Sequence, residues 1–140
     1  TDDTTTASAR YILFDDVTSG SITGVSVSSS KLTYTPSTGV VAAVEFSATS
    51  DERLKTDIAT VMNPVDLVCA MRGVKFVYKE TGKPGVGLVA QEIEKVLPEV
   101  VNHNDEGFKS VNYGNIVGVL IEAIKELKQE IEELKNGNKG

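Results

Sequence analysis

The stretch YGNIVGVLIEAIKELKQEIEELK, residues 113–135, carries the clearest periodicity of the chain. Val117, Leu120, Ile124, Leu127, Ile131 and Leu134 recur at spacings of 3, 4, 3, 4 and 3, which keeps an apolar stripe on one side of a helix. The alternation of 3 and 4 is a heptad seam. With Val117, Ile124 and Ile131 at a and Leu120, Leu127 and Leu134 at d, Glu130 falls at g and Lys135 at the following e, where opposite charges meet between parallel chains. Glu126, Lys128, Glu130, Glu132, Glu133 and Lys135 leave only a narrow apolar seam, which favours a coiled coil over a helix packed on its own domain. The expected coiled-coil helix covers about residues 114–135. β-Branched residues at a and leucine at d lean, by themselves, towards two strands.

Upstream of this helix the pattern is mixed. Asn63-Pro64 is an N-cap and first-turn proline pair that opens a short helix over Val65–Arg72, and Gly73 stops it. Val74, Phe76 and Tyr78 alternate with Lys75, Val77 and Lys79 as in a strand, and a turn at Gly82, Pro84 and Gly85 leads into Val86–Ala90, so a hairpin is expected. Gln91–Leu97 reads as a short helix closed by Pro98. Val100-Val101 and Phe108–Val111 flank the turn Asn104-Asp105-Glu106-Gly107. The fold class predicted for this half is α+β.

Composition changes sharply near residue 50. From Thr1 to Thr49 the chain is dominated by Ser, Thr, Val, Ala and Gly, with short strand-like stretches at Tyr11–Phe14, Ile22–Val27, Leu32–Thr35 and Val40–Phe46. Between the last two, Pro36-Ser37-Thr38-Gly39 offers a proline at a turn start and a glycine for positive φ, the signal of a hairpin. Tyr11, Phe14, Tyr34 and Phe46 are too little bulk for a sealed core, so this half is expected to need neighbouring copies. Two domains follow: a β-rich segment over residues 1–49 and an α+β segment over residues 50–140.

Charge and composition exclude several classes. With 20 acidic against 14 basic residues and a net charge of −6, the chain offers no basic patch for nucleic acid or an anionic membrane. One cysteine, Cys69, and one histidine, His103, make neither a disulfide framework nor a Cys/His metal cluster, and neither metal nor cofactor is expected. No apolar run approaches the roughly 20 residues that span a bilayer. The reading is a soluble segment with no nucleic-acid and no membrane partner.

At the boundary stands Thr49-Ser50-Asp51-Glu52-Arg53-Leu54-Lys55-Thr56-Asp57-Ile58, which resembles the opening signature of the peptidase S74 family, the intramolecular chaperone domains of phage endosialidase tailspikes, tail fibres and neck appendages. Met71-Arg72-Gly73-Val74-Lys75-Phe76 is similar to the second block of that family. Gly87-Leu88-Val89-Ala90-Gln91-Glu92, followed by Leu97-Pro98-Glu99-Val100-Val101, is similar to the third. Val111-Asn112-Tyr113 and the helix after it complete the order. The resemblance implies an intertwined homotrimer in which the chaperone assembles three chains and folds the β-rich segment upstream as its client. It further implies release by autoproteolysis between Thr49 and Ser50, and a virion tail-fibre location after assembly in the host cytoplasm. The alternative is a permanent trimerisation or receptor-binding tip that never cuts.

The chemistry expected at the boundary is attack of the Ser50 hydroxyl on the Thr49 carbonyl, in a single turnover. Lys55 is the nearest candidate base, as in Ser-Lys variants of the nucleophile-plus-base arrangement. A lysine acts as a base only when neutral, which asks for burial or a neighbouring cation, and Arg53 is one such neighbour. Asp51, Glu52, Arg53 and Gln91 are supporting candidates for orientation or oxyanion stabilisation. Without the resemblance, Ser50-Asp51 reads as a turn cap and Lys55 as a solvated charge. Gly82-Lys83-Pro84-Gly85-Val86-Gly87 lacks the order of a phosphate loop and reads as a hairpin turn. His103 reads as an exposed loop histidine without a partner, Cys69 as small core filling, and Asp15-Asp16 as a solvated turn rather than a calcium pair.

Overall fold

The computed structural model describes residues 8, 10, 11, 13, 14, 26 and 27 and residues 31–137. The chain divides into two units, Thr1–Thr56 and Asp57–Gly140. Asp15-Asp16 and most of Ile22–Val27 lie outside the described residues.

In the first unit the expected hairpin forms between β4 (Leu32–Thr35) and β5 (Val40–Ala43), paired from Thr35↔Val40 to Leu32↔Ala43. Gly39 takes φ 65°, as the turn requires, and the Thr38 N–H donates to the Thr35 carbonyl at 3.1 Å. β1 (Arg10–Tyr11) joins the other edge of β4, with Arg10 opposite Tyr34. β2 (Leu13–Phe14) pairs with β3 (Ser26–Val27). The strand expected to reach Phe46 stops at Ala43, and Val44 and Phe46 stand 80% and 74% exposed.

The second unit opens with α1 (Pro64–Ala70), which ends two residues before the expected Arg72 because the Met71 N–H already closes on the Val68 carbonyl. Asn63 is not a side-chain cap: it sits in the left-handed region at φ 51° and presents its carbonyl to the Leu67 N–H at 3.1 Å. Proline at the first helical position leaves no amide to satisfy. β6 (Val74–Val77) and β7 (Pro84–Gly87) make the predicted hairpin, with Phe76 opposite Gly85 and Val74 opposite Gly87. Both glycines are needed for space. A Cβ on Gly85 would lie 2.6 Å from the Phe76 ring, and one on Gly87 would lie 2.5 Å from the Tyr113 hydroxyl.

α2 (Ala90–Ile93) is followed by a 3-10 turn at Pro98–Val100 and by the hairpin of β8 (Val101–His103) and β9 (Lys109–Val111). Asn104 shapes the connecting turn: its Oδ1 accepts from the Glu106 and Phe108 N–H groups at 3.2 and 2.8 Å. A 3-10 turn at Tyr113–Asn115 then leads into α3 (Ile116–Gly137).

Ile93, Val100 and Ile116 form the core, with Met71, Leu88, Leu97, Val101 and Val111 packed around them. α3 also carries α1, and its buried residues Ile116, Val119 and Ala123 recur at 3 and 4 along one face. The heptad seam begins one residue on from that face, about 100° round the helix. Val117, Leu120, Ile124, Leu127, Ile131 and Leu134 are all exposed, between 42% and 70%. Two apolar stripes therefore share α3, and the chain itself covers only one. Cys69, expected as core filling, is exposed on α1 because that helix turns Pro64 rather than the cysteine inward.

Candidate functional site

Within the first unit the residues from Ser50 to Lys55 form a closed loop around a 3-10 turn, Glu52–Leu54. Asp51 caps the turn, its Oδ1 accepting the Arg53 backbone N–H at 2.9 Å. The Leu54 and Lys55 N–H groups close on the carbonyls of Asp51 and Glu52 at 3.2 and 3.0 Å. This turn brings the side chain of Lys55 back over the residue that precedes it. Lys55 Nζ donates to Ser50 Oγ at 2.7 Å and to the Ser50 carbonyl oxygen at 3.0 Å. If Nζ gives up a proton the same contact can reverse, with the serine hydroxyl donating to the amine lone pair, so the pair has the geometry of a nucleophile and its base.

Arg53, expected as a neighbouring cation for Lys55, pairs with Asp51. Its Nε and Nη2 fork onto the two carboxylate oxygens of Asp51 at 2.9 and 2.7 Å. The guanidinium holds the Asp51 carboxyl below its ordinary value, and the carboxylate raises Arg53 in return. Glu52 contributes its backbone to the turn while its side chain stays exposed. Thr49, Ser50 and Lys55 are exposed too. Gln91 belongs to the second unit, where it is exposed on α2.

Sequence reading missed three polar links of the second unit. Arg72 forks onto Glu92 through Nε at 3.1 Å and Nη2 at 2.5 Å, which ties the end of α1 to α2 and holds the Glu92 carboxyl below its usual range. Glu94 accepts from both Lys109 and His103, the latter at 2.8 Å, and the Lys109 ammonium is the main cause of its lowered carboxyl. His103 therefore has a partner after all, because the β8–β9 hairpin folds back on α2. The Tyr113 hydroxyl accepts the Leu88 N–H at 2.9 Å. Their partners stand 20, 15 and 25 residues apart, beyond any local pattern. Among the described residues no group of three or more His, Cys, Asp or Glu side chains is arranged to hold a metal ion.

The loop that pairs Ser50 with Lys55 marks the start of a known domain. Residues 50–102 match the peptidase S74 family, the chaperone of endosialidase. The match begins at Ser50 itself. The long tail fibre protein Gp37 of Salmonella phage S16 is 33% identical over 116 residues, covering 70% of this chain and 16% of that protein. Gp37 of Escherichia phage AR1 is 34% identical over 87 residues, covering 55% of this chain and 8% of that protein. Gp37 of Enterobacteria phage K3 is 29% identical over 96 residues, again 8% of its length. The chain thus spans a small part of the relatives it matches.

Proposed function

We propose that the chain is a self-cleaving assembly chaperone of a phage tail fibre. Three copies associate along α3, the S74 segment directs the folding of the β-rich segment before it, and each chain then cuts itself between Thr49 and Ser50. The observation that carries this reading is the 2.7 Å contact between Lys55 Nζ and Ser50 Oγ at the first residue of the family match.

The chemistry is balanced within the loop. Neutral Lys55 takes the Ser50 hydroxyl proton as Oγ bonds to the Thr49 carbonyl carbon. The resulting tetrahedral intermediate collapses by breaking the carbon–nitrogen bond, and Lys55 returns the proton to the Ser50 nitrogen. Water then attacks the ester with Lys55 again as base, leaving a Thr49 carboxylate and a free Ser50 hydroxyl. Removing water from around the loop favours the neutral amine, so packing of three chains over the loops couples cleavage to assembly. The exposed seam of α3 supports the association, with Ile124, Leu127 and Ile131 forming a shallow groove edged by Lys128, Glu132 and Lys135. The number three rests on the family, since the residue types of the seam alone lean towards two strands.

Intact-mass measurement on freshly folded chain, beside Ser50→Ala and Lys55→Ala variants, tests the reading. The expected result is conversion of the parent alone into residues 1–49 and 50–140. A parent chain that assembles into trimers and stays whole would instead make it a permanent fibre tip.

A further inference from the structure

Asp51 stands next to the proposed nucleophile and four residues before the proposed base. A carboxylate so placed is a ready ion-pair partner for the lysine, and an ion-paired lysine keeps its proton and cannot accept one from serine. Yet Asp51 is fully engaged elsewhere. Oδ1 accepts the backbone N–H and the Nε of Arg53, and Oδ2 accepts Nη2. Lys55 contacts only the hydroxyl and carbonyl oxygens of Ser50, and among the described residues no ion pair joins it to Asp51, Glu52 or Glu45.

We infer that Arg53 acts as a decoy cation for the Ser50–Lys55 pair: its guanidinium occupies the Asp51 carboxylate, which would otherwise capture Lys55 and draw it off the serine hydroxyl. This rests on the self-cleavage reading and makes Arg53 and Asp51 positioning residues of that site. Geometry sorts the two cations. A planar guanidinium meets a carboxylate with two parallel N–H groups, whereas an ammonium is a point charge, so the arginine outcompetes the lysine for Asp51. The backbone cap from Asp51 to Arg53 sets the fork in place, because it puts both side chains on one turn. With the arginine side chain 87% exposed the fork is weakly held in water, and it tightens as assembly covers the loop.

Two substitutions perturb the pair in opposite senses while keeping the cap. Arg53→Gln removes the cation and leaves the Asp51 carboxylate free to take Lys55. Asp51→Asn caps a turn as well as aspartate does, and removes the carboxylate that could take the lysine. In the full chain, cleavage rates from about pH 6 to about pH 10 are followed by intact mass. In parallel chains carrying Ser50→Ala, the Lys55 side chain is titrated by NMR. Arg53→Gln is expected to titrate at higher pH than its parent and to cleave about threefold more slowly at pH 7, with Asp51→Asn shifted the other way. Arg53→Lys, which restores the charge without the fork, falls between Arg53→Gln and the parent. Identical titration curves, or shifts of the same sign in both variants, overturn the decoy role. If no chain cleaves at any pH the self-cleavage reading falls, and the titrations still decide the decoy role by themselves.

Discussion

Truncating Ile124 to alanine separates the two apolar stripes of α3. The side chain is 66% exposed, so its own chain gains little from it, and alanine is the best helix former, which keeps α3 intact. Removing three carbons at about 0.8 kcal/mol each, scaled to the two-thirds that a partner would cover, forfeits roughly 1.5 kcal/mol per chain on association. Over a trimer this is about 4.5 kcal/mol, near three orders of magnitude in the association constant and about 30-fold in the concentration at which half the chains are assembled. Sedimentation equilibrium over a wide concentration range reads that midpoint, and circular dichroism under dilute conditions checks that the helix remains. Val119→Ala is the control on the other stripe: at 4% exposure it loses two buried methyl groups, about 1.5 kcal/mol of fold stability, without touching the seam. An Ile124→Ala chain that assembles at the same concentration as the parent would refute the assignment of the seam to a chain–chain contact.

Gly87→Ala is expected to destabilise the second unit by about 1–3 kcal/mol, because the added methyl meets the Tyr113 hydroxyl at 2.5 Å and must push it off the Leu88 N–H. Urea denaturation measures it, and an unchanged midpoint would mean that Tyr113 moves freely. Acid sensitivity follows from the lowered carboxyls of Glu92 and Glu94, held there first by hydrogen bonds from Arg72 and Lys109 respectively. A depressed folded value contributes stability that is present above the ordinary glutamate value of 4.5 and lost as pH falls through the folded value. Stability should therefore drop on acidification below about pH 4.5, and Glu94→Gln should flatten that drop in denaturation curves taken from about pH 7 to about pH 3.

Local signals identified much of this protein. Pro36–Gly39, the alternation around Phe76 and the Asn104–Gly107 turn each specify a hairpin through residues adjacent in the chain, and each hairpin forms. The 3–4 spacing on α3 marked a helix with a second apolar face, and the composition change with the Ser50–Ile58 signature located the candidate site. Six residues of one loop are enough to bring Lys55 to Ser50, which is why that pair was legible. Other features depended on which distant surfaces meet. The side of α1 that faces α3 decided that Cys69 is exposed, the folding of β8–β9 onto α2 gave His103 its carboxylate, and the fork of Arg53 onto Asp51 decided which cation that carboxylate takes. Spacing along the chain determines the elements and their faces, because backbone hydrogen bonding and side-chain periodicity are local. Which face is covered, and which charge a carboxylate takes, is decided only when the elements pack, because burial and ion pairing are set by distance in space.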